Sequence, residues 1–433
     1  KPIMPISARW KKETMTTDLR FTGFLLLFTL ACVVVRGDAA NRTIQWRSLK
    51  QVQRSLGITN HLWDGETICF SNSQDVLRFY PGRRKAEVNG TVIWLSAPAE
   101  GSIADGSWGL AAIDLDFLKL SILPRPPDNA HEPLRVLLDP GHGGDDEGAR
   151  CPDPLVKEKD LTLALAKRIG AQLKKEGLHV DYTRTRDVTL SLEARARLAR
   201  TKKADLFISI HANHARNNNA SGVETYVLPP SGYPGTAEGS RVRGWQIGNR
   251  NDFHNTLLGF SIHRHLAATP ETVDRGLKRQ SYFVLRETTC PAVLLEFGFL
   301  SNTGEARRML CADWQAQSCA AVVEGVLAYA RSVKALDHAV AEKRARDAEN
   351  NERWRKHLAA QAARAAAEAK AREARQLAAV TPPAAVSLPT ESNTALSNTV
   401  MASAIPIIQQ SGTNSAPLRV DALLEFYAPD KVQ

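Results

Sequence analysis

Cysteine is scarce in this chain, and its spacing suits no metal knot. Six cysteines stand at positions 32, 69, 151, 290, 311 and 319, and no two make a CxxC pair. That argues against zinc held by paired thiolates. If an export signal carrying Cys32 were removed, five would remain, so one thiol at least would have no disulfide partner. Cys311 and Cys319 stand two helical turns apart if that stretch is helical, too far to bridge. Most of the cysteines therefore read as small buried apolar residues. Aromatic residues make up only 6% of the chain, and there is no aromatic RNA-binding signature, zinc finger or P-loop. Nucleic acid is thus disfavoured as a partner despite a formal net charge of +10. The charge is also balanced locally, with ten Lys/Arg against seven Asp/Glu in 337–380. Long apolar runs are missing apart from residues 21–35, and a full bilayer span needs about 20 such residues. Arg9, Lys11, Lys12 and Arg20 precede that run, and Arg36, Gly37, Asp38, Ala39 and Ala40 follow it. A basic flank, a short apolar stretch and small residues at its exit describe an export signal over 1–40. An uncleaved membrane anchor is the alternative.

A chain of 433 residues holds two or three domains. Residues 41–123 have frequent Gly, Asn and Pro, and Asn89-Gly90 sits in the middle of a hairpin pattern. They form a small β-rich module. Pro124, Pro126 and Pro127 mark a linker over 124–133. Residues 134–333 alternate strand and helix signals. Val136-Leu137-Leu138, Leu206-Phe207-Ile208 and Ala292-Val293-Leu294-Leu295 are continuous apolar runs, as strands buried on both faces should be. Leu161, Leu165, Ile169 and Leu173 recur every four residues before Gly177, which makes an amphipathic helix with a glycine cap. The expected fold is α/β, a three-layer α/β/α domain with much parallel pairing. Residues 336–378 are rich in Ala, Arg and Glu: a long solvated helix with too little apolar surface for a core. Residues 381–433, rich in Pro, Ser, Thr and Asn, read as a mostly disordered tail.

Three polar residues stand at the ends of the three apolar runs. His142 lies in Asp139-Pro140-Gly141-His142-Gly143-Gly144, His211 in Ser209-Ile210-His211-Ala212-Asn213, and Glu296 in Leu295-Glu296-Phe297. Loops beyond the carboxyl ends of strands form the crevice in open α/β sheets, so three separate stretches converge on one edge. Glu158, just before the amphipathic helix, can enter the same crevice. Two imidazoles and two carboxylates suit a catalytic zinc, which takes three protein ligands, leaves a position for water and uses a spare carboxylate for the proton.

In this order, the Leu138–Gly144 stretch, Lys157-Glu158-Lys159, Ser209-Ile210-His211-Ala212-Asn213 and the run from Pro291 to Asn302 resemble the zinc-dependent N-acetylmuramoyl-L-alanine amidase family. The resemblance implies that His142, Glu158 and His211 bind Zn²⁺ and that Glu296 is the catalytic carboxylate. It implies hydrolysis of peptidoglycan between N-acetylmuramic acid and the first alanine of the stem peptide. With the export signal, it places the protein in the periplasm or at the wall, touching membrane only if the signal is uncleaved. The helical tail is the expected docking element for a protein activator. Phe297 departs from the family pattern, where a small polar residue is usual, and is expected in the pocket wall. Cys151 is a second departure. Asn213 is a candidate for orienting His211, Arg286 for meeting a substrate carboxylate, and 229–255 reads as a lid or a plain loop. A zinc carboxypeptidase and a non-catalytic wall-binding or division scaffold are the rivals; the first needs an arginine site such as Arg286, the second an incomplete metal set.

Overall fold

The structure is a computed structural model that describes residues 44–122 and 134–380, except 59, 104, 238, 239 and 242. The expected signal at 1–40, the linker at 124–133 and the tail at 381–433 lie outside the described residues. Within the described residues, no helix is long and apolar enough to cross a membrane.

The amino-terminal part contains β1 (Trp46–Ser48), α1 (Leu49–Leu56), β2 (Asn60–Trp63), β3 (Ile68–Ser71), β4 (Val76–Phe79), β5 (Lys85–Val88), β6 (Thr91–Trp94), β7 (Gly109–Ala111) and α2 (Ala112–Ser121). Strands β2 to β6 form an antiparallel meander. Its last turn is Asn89-Gly90, both with positive φ (52° and 81°), the backbone a two-residue hairpin loop requires.

The second part contains β8 (Arg135–Pro140), β9 (Arg150–Pro152), β10 (Leu155–Lys157), α3 (Glu158–Lys175), β11 (His179–Tyr182), α4 (Leu192–Thr201), β12 (Leu206–Asn213) and β13 (Val223–Val227). It continues through α5 (Asp252–Ala267), β14 (Asp274–Arg279), α6 (Phe283–Glu287), β15 (Ala292–Phe299), α7 (Thr303–Leu310) and α8 (Ala312–Val380). The main sheet runs β11-β8-β12-β15-β13-β14-β6-β5-β4-β3-β2. The first four strands are parallel, β13 is antiparallel to β15, and β14 is parallel to β13. The module is therefore built onto the sheet of the second part, through β6 pairing with β14 at Leu277 and Ile93.

Alternation along each central strand makes the three layers. Leu138, Ile208 and Leu295 join a core with Leu165 and Ile169 of α3 and Leu257 of α5. Leu137, Phe207 and Leu294 face the other way, towards Ala199 of α4 and Val284 and Leu285 of α6. Helix α3 ends as its glycine suggests: Gly177 has φ +83°, and Leu178 N–H donates to the Leu173 carbonyl at 3.1 Å. The Ala/Arg/Glu-rich helix is the distal part of α8, which starts within the second part and continues unbroken. Its proximal turns bury Trp314, Val322, Val326 and Leu336, whereas every described residue from Arg344 to Ala378 is exposed.

Candidate metal centre

Strand β8 ends against the imidazole of His211. A Cβ on Gly141 would lie 2.3 Å from His211 Cε1, so only glycine lets the two chains pass. His142 follows with φ +62°, a left-handed turn that non-glycine residues seldom adopt. Arg195, 3% exposed, holds this turn by donating to the Pro140 carbonyl at 2.7 Å and the His142 carbonyl at 2.6 Å. It also donates to Asp139 at 2.7 Å, which accepts from Thr183 and Ser209 as well. Arg184 donates to the carbonyls of Pro140, Gly141 and Lys159. These two arginines and Asp139 fix the loop that bears His142. Asp139 stands in the motif that carries His142, but neither arginine is legible in the sequence, because an arginine codes for the surface unless its carbonyl partners are known.

Glu158 is the first residue of α3, where the helix dipole favours an anion. Its Oε1 accepts from Ala212 N–H at 3.1 Å and lies 2.9 Å from His211 Nδ1. Its Oε2 accepts from Ala149 N–H at 2.8 Å and lies 3.1 Å from His142 Nε2. Burial alone would raise the Glu158 pKa, but the hydrogen bonds and charges of His142 and His211 hold it well below the usual carboxylate range. Burial opposes protonation of His142; its bonds to Glu158 and Asp146 outweigh that and raise its pKa. Asp146 Oδ2 sits 2.8 Å from His142 Nδ1, the outer partner that fixes a ligating ring and leaves Nε2 inward. One donor atom from each of His142, Glu158 and His211 lies within 4.8 Å of the other two. Gly148 closes the cradle, since a Cβ there would meet Glu158 Oε2 at 2.5 Å and His142 Cδ2 at 2.7 Å. Two nitrogens and an ionised carboxylate so gathered fit a zinc ion.

Glu296 stands on β15 directly beside His211 on β12. It is 7% exposed, and its Oε2 has no hydrogen-bond partner among the described residues. Burial pushes its pKa well above the ordinary value, helped by the charges of Glu158 and Glu224 and opposed by Lys278. His142, His211 and Glu296 line one groove of about 480 Å³, together with Leu190, Tyr282 and Val284.

The other candidates fall elsewhere. Phe297 is fully buried on the face opposite Glu296 and meets Trp314 edge-on at 6.4 Å. It belongs to the core and not to the pocket wall, because successive strand residues alternate faces. Asn213 donates to Glu224 at 3.0 Å, not to His211. Arg286 bonds to Glu287 and the Ser281 carbonyl and stacks on Phe283, so the arginine a carboxypeptidase would need is already engaged. The described residues of 229–255 contribute nothing to the groove wall. That stretch contains a 3₁₀ turn, Ile247–Asn251, and Gly248 there packs on the Leu285 carbonyl of α6. Cys151 is buried and donates to the Asp153 carbonyl at 3.4 Å.

The pattern of the N-acetylmuramoyl-L-alanine amidase family matches residues 136–328, from β8 into the proximal part of α8. YqiI of Bacillus subtilis (strain 168) is 34% identical over 213 residues, covering 48% of this chain and 93% of YqiI. The chain belongs to the N-acetylmuramoyl-L-alanine amidase family. Within that family of cell-wall hydrolases, LytC of Bacillus subtilis (strain 168) is 31% identical over 196 residues, covering 45% of this chain and 35% of LytC. A solved amidase domain, that of CwlV from Bacillus (Paenibacillus) polymyxa var. colistinus, is 31% identical and covers 45% of this chain and 97% of that one, with a TM-score of 0.39. The chain thus spans nearly all of YqiI but only about a third of LytC.

Proposed function

We propose that this amidase-family chain is a zinc-dependent hydrolase of peptidoglycan, acting on the amide between N-acetylmuramic acid and L-alanine of the stem peptide. The observation that carries the reading is the pairing, in one groove, of a three-donor cradle with a buried carboxylate whose Oε2 lacks a partner. Zinc held by His142, Glu158 and His211 would supply Lewis acidity, lowering the pKa of a water and polarising a carbonyl. Glu296 holds and moves the proton. Its Oε2 takes one proton from water as the water oxygen bonds to the lactyl carbonyl carbon, and delivers it to the alanine nitrogen as the C–N bond breaks. Apolar Leu190 and Val284, with Tyr282, also line the groove and limit the access of bulk water to that transfer. The products are a free lactyl carboxylate on the glycan and a stem peptide with a free amine.

The family resemblance and the completeness of the donor set favour this over a non-catalytic wall-binding scaffold. Export and wall association belong to the same proposal, resting on the basic flank and apolar run of 1–40 and on where the substrate lies. The exposed distal part of α8 is the proposed docking element for an activator. The test is mass spectrometry of fragments released from purified peptidoglycan by the full chain and its Glu296→Gln variant. The parent should release stem peptides with alanine amino termini. The variant should keep one zinc per chain and lose about 10²–10⁴-fold in rate; hydrolysis at the parent rate would remove Glu296 from the reaction.

A further inference from the structure

Glu296 has a second buried carboxylate for a neighbour. In the antiparallel ladder of β13 and β15, Glu224 stands directly opposite Glu296, and residues so paired share a face of the sheet. Glu224 is 2% exposed. Two like charges placed directly across a ladder are ordinarily unfavourable, and here both are buried, where charge is worth more. What differs is their partners. Both oxygens of Glu224 are occupied: Oε1 accepts from Arg275 Nε at 2.6 Å and from Lys278 Nζ, and Oε2 accepts from Tyr226 Oη at 2.6 Å and Asn213 Nδ2 at 3.0 Å. Four donors, two of them cationic, saturate that carboxylate and remove it from proton exchange. Glu296, one strand away, keeps an oxygen without a partner.

The two cations come from β14, and β14 is gripped by the amino-terminal module. Trp94 Nε1 donates to the Arg275 carbonyl at 2.9 Å, and Val92 N–H donates to Asp274 Oδ2 at 2.8 Å. Gly276, at φ +98°, lets the Trp94 ring lie against the strand, since a Cβ would meet Trp94 Cδ1 at 2.6 Å. Lys278 Nζ lies 5.7 Å from the centre of the Trp94 ring. No described residue of the module lines the groove, yet the module fixes the strand that supplies Arg275 and Lys278.

We propose that Glu224, clamped by Arg275 and Lys278 on the strand held by the amino-terminal module, is the positioning residue for the Glu296 carboxylate. Four donors fix the Glu224 side chain in one rotamer, and it forms the floor against which Glu296 stands. The cations cancel the repulsion that would drive Glu296 from the groove. The inference rests on Glu296 being the proton carrier, so it is tested with that residue in the same series.

The experiment measures steady-state hydrolysis of a soluble muropeptide, zinc content and thermal melting for full-length Glu224→Gln, Lys278→Met, Lys278→Arg, Trp94→Phe, Glu296→Gln and the Glu224→Gln/Glu296→Gln double variant. Expected are a 10- to 100-fold fall in kcat with KM within twofold and zinc retained for Glu224→Gln and Lys278→Met. Lys278→Arg should recover most of the rate, and Trp94→Phe should lose severalfold. Glu224→Gln should cost nothing further once Glu296 is Gln, because its effect passes through that residue. The proposal is overturned if Glu224→Gln and Lys278→Met turn over at the parent rate, or if they lose zinc or fold, which would make the cluster merely structural. An additive loss in the double variant also overturns it. A Glu296→Gln variant that hydrolyses at the parent rate refutes the reading of Glu296 itself, whatever Glu224 does.

Discussion

The two halves of the catalytic sheet are built on different principles. In the parallel half (β11, β8, β12 and β15), most central-strand side chains are apolar and buried on both faces. It acts as a rigid shelf that carries His211 and Glu296 at its edge, with the loop bearing His142 beyond it. In the other half, β13 and β14 pair with each other and then with the meander, and charged residues stand among the apolar ones: Glu224 meets Arg275 and Lys278, and Asp274 meets His263. His263 is fully buried, with Thr225 Oγ1 at 3.0 Å from one ring nitrogen and Asp274 Oδ1 at 2.9 Å from the other. Apolar packing fixes position in the first half, and mutual satisfaction of polar groups fixes it in the second. The site lies on the seam, so the proposed ligands need the shelf while the proposed proton carrier, Glu296, faces the polar network.

The sharpest way to break this comparison is at the ligands. His142→Ala should abolish stoichiometric zinc by elemental analysis and, with it, hydrolysis, leaving the apolar shelf and the melting curve of the metal-free protein nearly intact. Asp146→Ala removes only the outer partner of the ring and should weaken zinc about 10- to 100-fold, as for other partners of metal-bound histidines, read by competition with a chelator. Full zinc retention in His142→Ala would take that residue out of the site.

The next effect separates the halves by stability. Ile208 is fully buried in the shelf, and Ile208→Ala should cost about 2–5 kcal/mol through lost burial and a cavity. Thr225→Val in the polar half leaves a His263 ring nitrogen without its partner and should cost about 1–3 kcal/mol. Denaturant unfolding measures both. If the valine variant is as stable as the parent, the polar half is not held by its hydrogen bonds.

That contrast also explains what was legible beforehand. Apolar runs announce strands buried on both faces, so β8, β12 and β15 and the residues at their ends could be read from sequence, as could the fourfold leucine spacing of α3 and the Asn-Gly hairpin. The gathering of His142, Glu158 and His211 followed from short motifs on those elements. Strands β13 and β14 were not legible, because Val223-Glu224-Thr225-Tyr226-Val227 and Asp274-Arg275-Gly276-Leu277-Lys278-Arg279 look solvated until their partners are known. The fusion of module and sheet is hidden for the same reason, since it rests on the short pairing of β6 with β14 and on side-chain bonds such as those of Asp274, Trp94 and Arg84. The direction of Phe297 differs from the expected pocket wall because its face depends on strand phase, which the motif alone does not reveal.

A smaller effect, dependent on pH, probes the helix under the polar half. Asp252 opens α5 and accepts from Asn249 at 2.9 Å. Burial pushes its pKa up from 3.8 to about 7, against the opposing influence of Asn249 and Arg279. The folded protein therefore keeps this proton where the unfolded chain has lost it. The contribution is complete below about pH 4 and is lost as pH rises through 7, at no more than about 1.4 kcal/mol per pH unit. Asp252→Asn should remove that slope, melting above the parent at pH 8 and losing the advantage towards pH 4. Parallel melting curves for the two proteins across this range would show that Asp252 is ionised throughout.

The smallest expected effect comes from removing the distal part of α8. Packing argues for where to cut: Tyr329 and Leu336 are buried against the domain, and a cut at 333 would strip Leu336 from the core and expose the surface beneath it. From Arg344 onward the described helix is exposed on every side, stabilised only by pairs such as Arg353 with Glu349 at 2.8 Å, each worth about 0.3–0.5 kcal/mol to the helix alone. A chain ending at Lys343 should therefore bind zinc, melt within about 0.5 kcal/mol of the parent and hydrolyse isolated peptidoglycan within twofold of its rate. Any change should appear instead in capture of a partner or in position at the wall. A folded, zinc-loaded truncation that has lost hydrolysis would mean that the distal helix reaches the groove, and neither half of the sheet would then be sufficient for the reaction.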